Sequence, residues 1–275
     1  MRKLTDTILT MGKIAVMTRR VGKPVTPPAP ARRLIILGNG PSLRQTIDEN
    51  ADLLAETETM AVNFAANTPE YFTLRPARYI LTDPHFFEGA EKDPNVRRLW
   101  ENLQKTSWEM TLHVPARRKI PALPANIKVQ RYNMTPGEGL RWVCRRLYKL
   151  GMATPRPRNV LIAALMEAIR SGYEEIYLTG ADHSWPHTLY VDGQNRVVSV
   201  QPHYYQDNKE ELERVADVYS DRRMHDVLGN MAVAFRSYHQ VRDYADWRGV
   251  KIYNATPESL IDAFERRPLP EKKAD

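Results

Sequence analysis

Polar and charged residues follow four apolar, strand-like stretches of this 275-residue chain. They are Gly38, Asn39, Gly40, Pro41 and Ser42 after LIIL, Asn63 after MAV, Asp83 and His85 after YILT, and Gly180, Asp182 and His183 after IYLT. Amides and backbone N–H groups can bind nucleotides, while carboxylates and imidazoles transfer protons or bind metal ions. The pattern therefore predicts a binding or catalytic site assembled from several strand ends.

The turn at residues 38–42 differs from two common phosphate-binding motifs. It lacks the third glycine of G-x-G-x-x-G, and no Gly-Lys-Ser/Thr follows it. Pro41 suits the first position of a helix, and Ser42 with the amides of the first turn could bind an anion. Asn39 offers a donor and an acceptor to a base, a sugar or a phosphate.

The elements that must position these residues alternate between strand-like and helical patterns, which predicts an α/β, Rossmann-like, doubly wound and mostly parallel sheet flanked by helices. The predicted strands are 33–38, 59–64, 78–82, 110–114, 126–131, 175–179 and 250–253. The predicted helices are 43–55, 94–104, 138–150, 159–171, 208–218, 224–247 and 257–265, the last capped by Thr256 with Pro257 at its first position. In such a sheet ligands bind at the carboxyl ends of the strands, so the four polar clusters should share one rim.

A long excursion separates the strand at 175–179 from the helix at 224–247. It is about forty residues long, and such excursions from a compact sheet are often lids over a site. Asp192-Gly193 predicts a hairpin within it. We therefore expect a lid at about residues 183–222.

Five segments resemble the bacterial sialyltransferases of glycosyltransferase family 42. They are IILGNGPSL, AVNF, RYILTDPHFF, GYEEIYLTGADHSW and GVKIYNATPESLIDAF, which span residues 33–265 in order. The same segments are similar to a wider group of capsule and lipopolysaccharide cluster proteins that share a domain with an archaeal 6-hydroxymethylpterin pyrophosphokinase. The resemblance implies a Rossmann-like catalytic domain at residues 32–267, followed by a tail at 268–275. It also implies a CMP-activated nonulosonic acid as donor and no metal or other cofactor.

The resemblance assigns roles to individual residues. Residues 38–42 match the family's nucleotide-binding turn, and Asn63 matches an asparagine that contacts the donor. Arg158 and Asn159 match positions near the nucleotide phosphate, and Tyr190 matches a tyrosine that assists phosphate departure. Three positions differ from the family. Asp83 replaces an asparagine, Ser184, next to Trp185, replaces the first tyrosine of the lid, and the third is the position of the base.

The family's histidine base aligns by direct counting with Ala232, which is no base. His225 and His239 lie seven residues to either side, on nearly the same helical face. We predict His225 as the base, with His203, His183 and His239 as rivals. In the implied reaction His225 deprotonates the acceptor hydroxyl and Tyr190 hydrogen-bonds the departing phosphate, while Asp83 or Asp182 stabilises positive charge on the donor sugar.

Two other functions are compatible with the sequence. Asp83 and Asp182 are carboxylates of the kind that bind a magnesium–nucleotide complex, which favours a pyrophosphokinase-like enzyme. The unplaced base favours a non-catalytic protein that binds a nucleotide sugar.

The formal net charge of +7 is concentrated at the N-terminus. Residues 1–33 hold eight Lys and Arg against one Asp, and the remaining residues are formally neutral. Because residues 34–275 carry no net positive charge, they do not offer the basic surface that binds a nucleic-acid backbone, which argues against nucleic-acid binding. Apolar residues spaced by three and four predict an amphipathic helix over residues 1–20, which either binds an anionic membrane surface or packs on the domain. The Pro-rich segment KPVTPPAPA then predicts a stiff linker up to residue 31.

The single cysteine, Cys144, is predicted to be a buried thiol, and one cysteine excludes a disulfide within the chain. No stretch of 18 apolar residues and no signal peptide is evident. These features predict a cytoplasmic protein, peripheral at the inner membrane if it modifies a glycan or a lipid-linked glycan. A homo-oligomer is compatible with the pattern.

Overall fold

The computed structural model describes residues 2–28, 32–89, 92–199 and 222–271. Its main sheet is formed by β1 (Arg33–Leu37), β2 (Thr59–Val62), β3 (Arg78–Ile80), β4 (Met110–Pro115), β5 (Ile127–Tyr132), β6 (Glu175–Thr179), β9 (Lys251–Asn254) and β10 (Glu265–Arg266). The strand order is β10-β9-β6-β1-β2-β3-β4-β5, and every neighbouring pair is parallel. The predicted α/β, Rossmann-like class is thereby confirmed.

Helices cover both faces of this sheet. They are α1 (Arg2–Met17), α2 (Leu43–Glu49), α3 (Ala51–Glu56), α4 (Pro69–Leu74), α5 (His85–Glu88), α6 (Pro94–Gln104), α7 (Arg141–Lys149), α8 (Val160–Ser171) and α9 (Met224–Arg248). Short 3-10 helices span Asn63–Asn67 and Trp185–Thr188. Within the described residues, no helix combines the length and apolar character needed to cross a membrane.

The central strand β1 is apolar on both faces because both are covered. Leu34 and Ile36 pack with α8 and α9, whereas Ile35 and Leu37 pack with α2 and α3. This explains why the sequence RLIIL shows no alternation of polar and apolar residues.

The chain changes direction at β1. Strands β1 to β5 follow one another toward one edge, and the chain then returns through α7 and α8 to place β6 on the other side of β1. In open parallel sheets this change of direction leaves a crevice at the carboxyl ends of the two strands, where ligands bind. By this rule a ligand is expected at the rim formed by the turns that follow β1 and β6.

Two predicted helices differ in the structure. The predicted helix at 43–55 is interrupted at Asn50, where φ is −128°, and the predicted helix at 257–265 is replaced by a turn that leads into β10. In that turn the Ser259 hydroxyl donates to the carbonyl of Ala181 at 2.6 Å, and the Leu260 N–H donates to the carbonyl of Asp182 at 3.0 Å. These bonds to a distant loop replace the hydrogen bonds of a helix. The predicted helix at 208–218 lies outside the described residues.

The predicted hairpin at Asp192-Gly193 is confirmed. Strand β7 (Leu189–Val191) pairs antiparallel with β8 (Val197–Ser199). The Asp192 carboxylate accepts bonds from the N–H groups of Gln194 and Arg196, which fixes the turn. The rest of the predicted lid, from residue 200 to 221, lies outside the described residues.

The Pro-rich segment lies against the sheet instead of standing apart from it. The Arg19 N–H donates to the side chain of Asn133 at 2.9 Å, and the Val25 N–H donates to that of Gln130 at 3.0 Å. The Arg78 guanidinium in turn donates to the carbonyl of Val25 at 3.0 Å. Residues 19–25 therefore lie against β5 and β3.

Candidate nucleotide site at the turns after the first and sixth strands

The turns that follow β1 and β6 are joined by backbone hydrogen bonds. The Gly38 N–H donates to the carbonyl of Thr179 at 2.8 Å, and the Gly40 N–H donates to that of Gly180 at 2.7 Å. A Cβ at Gly38 would collide with the carbonyl of Gly180. The close approach of two protein loops therefore already requires the glycine at position 38.

The Asp182 carboxylate lies where sequence analysis expected a bound anion. It accepts bonds from the N–H of Ser42 at 3.2 Å and from the Ser42 hydroxyl at 2.9 Å, at the start of α2. A Cβ at Gly40 would overlap the same carboxylate. Negative charge at a helix N-terminus is favourable, and here the protein supplies that charge itself. Pro41 lies exposed at the start of the same turn.

The side chain of Asn39 is only 9% exposed, and its polar atoms are unpaired within the described residues. Neither Nδ2 nor Oδ1 has a hydrogen-bond partner there. A buried polar group without a partner costs about 1–3 kcal/mol. The buried amide of Asn39 therefore keeps its full hydrogen-bonding capacity available to a ligand.

Asn63 begins a 3-10 helix at the end of β2, the neighbour of β1. Its φ of 52° falls in the left-handed region, and its carbonyl accepts a bond from the hydroxyl of Tyr79. Non-glycine residues adopt this conformation rarely, and they concentrate at functional sites. Asn39 and Asn63 thus follow adjacent parallel strands at the same rim.

His183, Tyr238 and Asn159 form a buried hydrogen-bonded group beside this rim. Tyr238 Oη donates to Asn159 Oδ1 at 3.0 Å and lies 2.7 Å from His183 Nε2. Asn159 Nδ2 also lies 3.4 Å from His183 Nε2, so the three side chains form one closed network of contacts. Burial lowers the pKa of His183 from 6.5 to about 3, so the ring is neutral near pH 7. The ring of Trp185 stacks on His183 with centroids 4.1 Å apart.

This group links three elements. Asn159 Oδ1 also caps α8 by accepting from the N–H groups of Leu161 and Ile162 at 3.0 and 3.3 Å. Tyr238 lies on α9, and His183, with a φ of 53°, follows β6. Sequence reasoning missed Tyr238. Tyr238 lies three residues after Phe235, and this helical spacing could have predicted that both aromatic residues lie on the inward face of α9.

The predicted catalytic residues lie on three separate elements. The His225 side chain is 82% exposed at the start of α9, with Asp226 3.4 Å away. Tyr190 is half-exposed on β7, and Asp83 is exposed after β3, where it accepts a bond from the His85 N–H at 2.9 Å. The described contacts of these residues are local and do not connect them.

The other predicted residues are also located, except one. Arg158 is exposed directly before α8, and His239 lies 3.1 Å from Asp262 on the outer side of α9. His203 lies outside the described residues.

The two rim carboxylates are too far apart to share a metal ion. Asp83 follows β3 and Asp182 follows β6, three strands away, which corresponds to about 14 Å. In the described part of the chain, no group of three or more His, Cys, Asp or Glu side chains is arranged to hold a metal ion.

Comparisons with known proteins reveal distant similarity in structure. No protein-family model and no curated protein sequence matches the chain. Among solved structures, the chain is similar to the MAf glycosyltransferase from Magnetospirillum magneticum AMB-1, with 12% sequence identity and a TM-score of 0.48. The similarity covers 96% of this chain and 38% of the other, so this chain spans less than half the length of that protein.

Proposed function

We propose that this chain is a metal-independent glycosyltransferase that takes its sugar from a CMP-activated donor and adds it to a bacterial surface glycan. The donor sugar is a sialic acid, a related nonulosonic acid or Kdo. The observation that carries the proposal is Asn39, whose buried amide has no partner within the described residues and lies in the turn after β1, at the carboxyl end of the sheet.

The chemistry of Asn39 fits cytosine. A cytosine ring presents an amino donor beside acceptor atoms, and an asparagine amide offers one acceptor and two donors on the same plane. The left-handed Asn63, which follows the adjacent strand, supports a second contact to the ribose or the base. Gly180 supports the nucleotide site indirectly, because its carbonyl accepts the Gly40 N–H and so holds the turn after β1 in place.

The phosphate belongs on the α8 side of the rim. At the start of α2 it would meet the Asp182 carboxylate, which repels a second anion there. Arg158 is exposed directly before α8 and supplies a positive charge, and Asn159 orients the N-terminus of this helix. We therefore assign phosphate binding to Arg158 rather than to Ser42.

In the proposed reaction an acceptor hydroxyl oxygen forms a bond to the anomeric carbon as the bond from that carbon to the phosphate oxygen breaks. CMP leaves with the electron pair, and a histidine takes the hydroxyl proton. His225 is exposed, whereas His183 is covered by Trp185 and its pKa of about 3 makes it a weak base. We therefore propose His225 as the base and His183 as a positioning residue, with Tyr190 and Asp83 in the roles that the family resemblance implies.

His225 lies about 20 Å along α9 from Tyr238 at the rim. This distance, together with the exposed and separate positions of Tyr190 and Asp83, favours a second candidate function. In that case the chain binds a nucleotide sugar without transferring it.

Thermal denaturation with added nucleotides tests the proposal. CMP and CDP should raise Tm equally with and without a chelator. A rise that occurs only with ATP or GTP plus magnesium would instead indicate the pyrophosphokinase-like alternative. Consumption of a CMP-sugar in the presence of acceptor glycans then separates a transferase from a binding protein. If His225→Ala leaves transfer intact, another group is the base.

The decisive variant is Asn39→Leu. It should abolish the CMP-dependent rise in Tm while keeping or raising Tm without nucleotide, because it removes a buried amide that has no described partner. Gln45→Ala is the matched control, since it removes an exposed amide on α2 beside the same turn. A CMP response that persists in Asn39→Leu would contradict the assignment.

A further inference from the structure

Helix α1 is attached to the domain through threonines. The Thr10 hydroxyl donates to the carbonyl of Glu138 at 2.8 Å and accepts from the N–H of the same residue at 2.9 Å. Thr7 Oγ1 accepts from the Leu140 N–H at 2.9 Å. Of the larger apolar residues in α1, Ile14 joins the core. The inward face of α1 is therefore mainly polar and hydrogen-bonded.

The opposite face of α1 is apolar and exposed to solvent. The exposed fractions of Leu4, Ile8 and Val16 are 57%, 65% and 71%, and Leu9 and Met11 are about as exposed. On a helix these residues cover an arc of about 160°, and no charged side chain falls within it. Apolar surface that is continuous along a helix indicates an interaction site, whereas single exposed residues are ordinary. We call this surface the outer face of α1.

The segments before and after α7 bond to α1 and to the residue that follows it. Thr7 bonds to Leu140 before α7, and the Thr18 hydroxyl donates to the carbonyl of Met152 after it, so the two helices run in the same direction. Trp142 on α7 is 68% exposed. Tryptophan is enriched where proteins meet the headgroup region of a membrane.

The charge around the outer face is positive. Residues 2–23 hold six basic side chains and one acidic one, and the exposed Arg146 and Lys149 of α7 add to them. A wide apolar stripe bordered by Lys and Arg matches a bilayer that contains anionic lipids. A symmetric contact with a second copy would instead bring two positive rims together.

We propose that the outer face of α1, with Trp142, binds the surface of an anionic membrane, and that α1 lies parallel to that surface. The threonine contacts fix its orientation, because the inward face stays bonded to Glu138 and Leu140 while the apolar face enters the lipid. The whole domain is then held at the membrane through α1. This property is independent of the nucleotide site, since α1 contacts neither Asn39 nor Asn63 within the described residues.

Vesicle sedimentation with the full chain tests the proposal. The chain should sediment with vesicles of phosphatidylcholine and phosphatidylglycerol, remain in solution with phosphatidylcholine alone, and be released by salt. Ile8→Glu should weaken binding by about tenfold or more, because an isoleucine that would enter the lipid is replaced by a negative charge that anionic lipid repels. Val129→Glu is the matched control. Val129 is also exposed, but it shares the side of β5 with Ile127 and faces away from the α1 layer.

Three results would overturn the proposal. They are binding that ignores lipid charge, unchanged binding by Ile8→Glu, and a dimer in light scattering that Ile8→Glu dissociates. The last result would identify the outer face as a contact between copies of the chain. Ile8→Glu should retain the wild-type Tm and the response to CMP, so a failure here is distinguishable from a failure of the proposed nucleotide site.

Discussion

The Asp182 carboxylate accepts hydrogen bonds from both the backbone N–H and the hydroxyl of Ser42, although the two residues are 140 positions apart in the sequence. The turn after β6 thereby caps the helix that follows β1. The two halves of the sheet, which meet between these strands, are joined at the rim as well as through the strand hydrogen bonds.

Asp182→Ala should lower the free energy of unfolding by about 1–2 kcal/mol, the usual cost of losing a helix N-cap. Chemical denaturation measures this change in the free energy of unfolding. Asp48→Ala removes an exposed carboxylate from the same helix and should change stability by less than about 0.5 kcal/mol. Equal losses in the two variants would show that the Ser42 contacts do not contribute.

Gly38→Ala and Gly12→Ala should change stability in opposite directions. A Cβ at Gly38 collides with the backbone carbonyl of Gly180, so the turn must shift at a cost of about 1–3 kcal/mol or more. A Cβ at Gly12 has no heavy atom within 4 Å among the neighbours described, so alanine should stabilise α1 by up to about 1 kcal/mol. The midpoints of urea denaturation report both changes. A wild-type midpoint in Gly38→Ala would contradict the close approach of the two loops.

His183 should make folding stability fall on acidification. Its native pKa of about 3 lies below the ordinary value of 6.5, so below pH 6.5 the unfolded chain binds a proton that the native protein does not. The stability that the neutral His183 ring contributes is therefore fully present above pH 6.5. Between pH 6.5 and pH 3 the free energy of unfolding decreases by about 1.4 kcal/mol per pH unit. Burial also lowers the pKa of His113, which acts in the same direction.

Denaturation curves across this pH range measure the slope. His183→Gln should reduce it by about 1.4 kcal/mol per pH unit, whereas His187→Gln, at an exposed position, should leave it unchanged. The comparison uses slopes because His183→Gln also alters the contact with Tyr238. An unaltered slope in His183→Gln would mean that this ring is not buried in solution.

Thr10→Val should loosen α1. Valine has nearly the same shape but cannot bond to the N–H and carbonyl of Glu138, so docking should weaken by about 1–3 kcal/mol. Hydrogen exchange of the amides in residues 2–17 measures the loss. Val16→Thr is the control, because it makes the reverse exchange at a side chain that is 71% exposed on the same helix. If both variants exchange at the wild-type rate, the threonine contacts do not hold α1 in place.

Much of the fold could be predicted because its signals are local. The helix at 94–104 and the strand at 175–179 agree with the sequence prediction at both ends, since each combines a clear apolar pattern with flanking turn residues. The helix predicted at 257–265 failed although Thr256 and Pro257 are a good start signal. There, hydrogen bonds to Ala181 and Asp182 outweighed the local preference, and no local pattern contains them.

The candidate site also has features that local sequence patterns predict and features that they do not. The rim positions followed from the strand ends, because topology brings the carboxyl ends of parallel strands together. The pairing of Asp182 with Ser42, and of His183 with Tyr238, depends on residues far apart in sequence and could not be predicted from spacing. The exposure of His225 likewise depends on which face of α9 packs on the domain, where Val227 and Met231 are buried.

The backbone bonds of Gly38 and Gly40 to the turn after β6 hold the Asn39 amide in position before any ligand arrives. Binding then does not need to order this loop, which would otherwise cost about 1–2 kcal/mol per residue. A fixed amide also discriminates strongly between ligands. In the CMP site that we propose, a pyrimidine with the wrong arrangement of donors and acceptors would leave the buried amide unpaired, so this rigidity should favour cytosine over uracil.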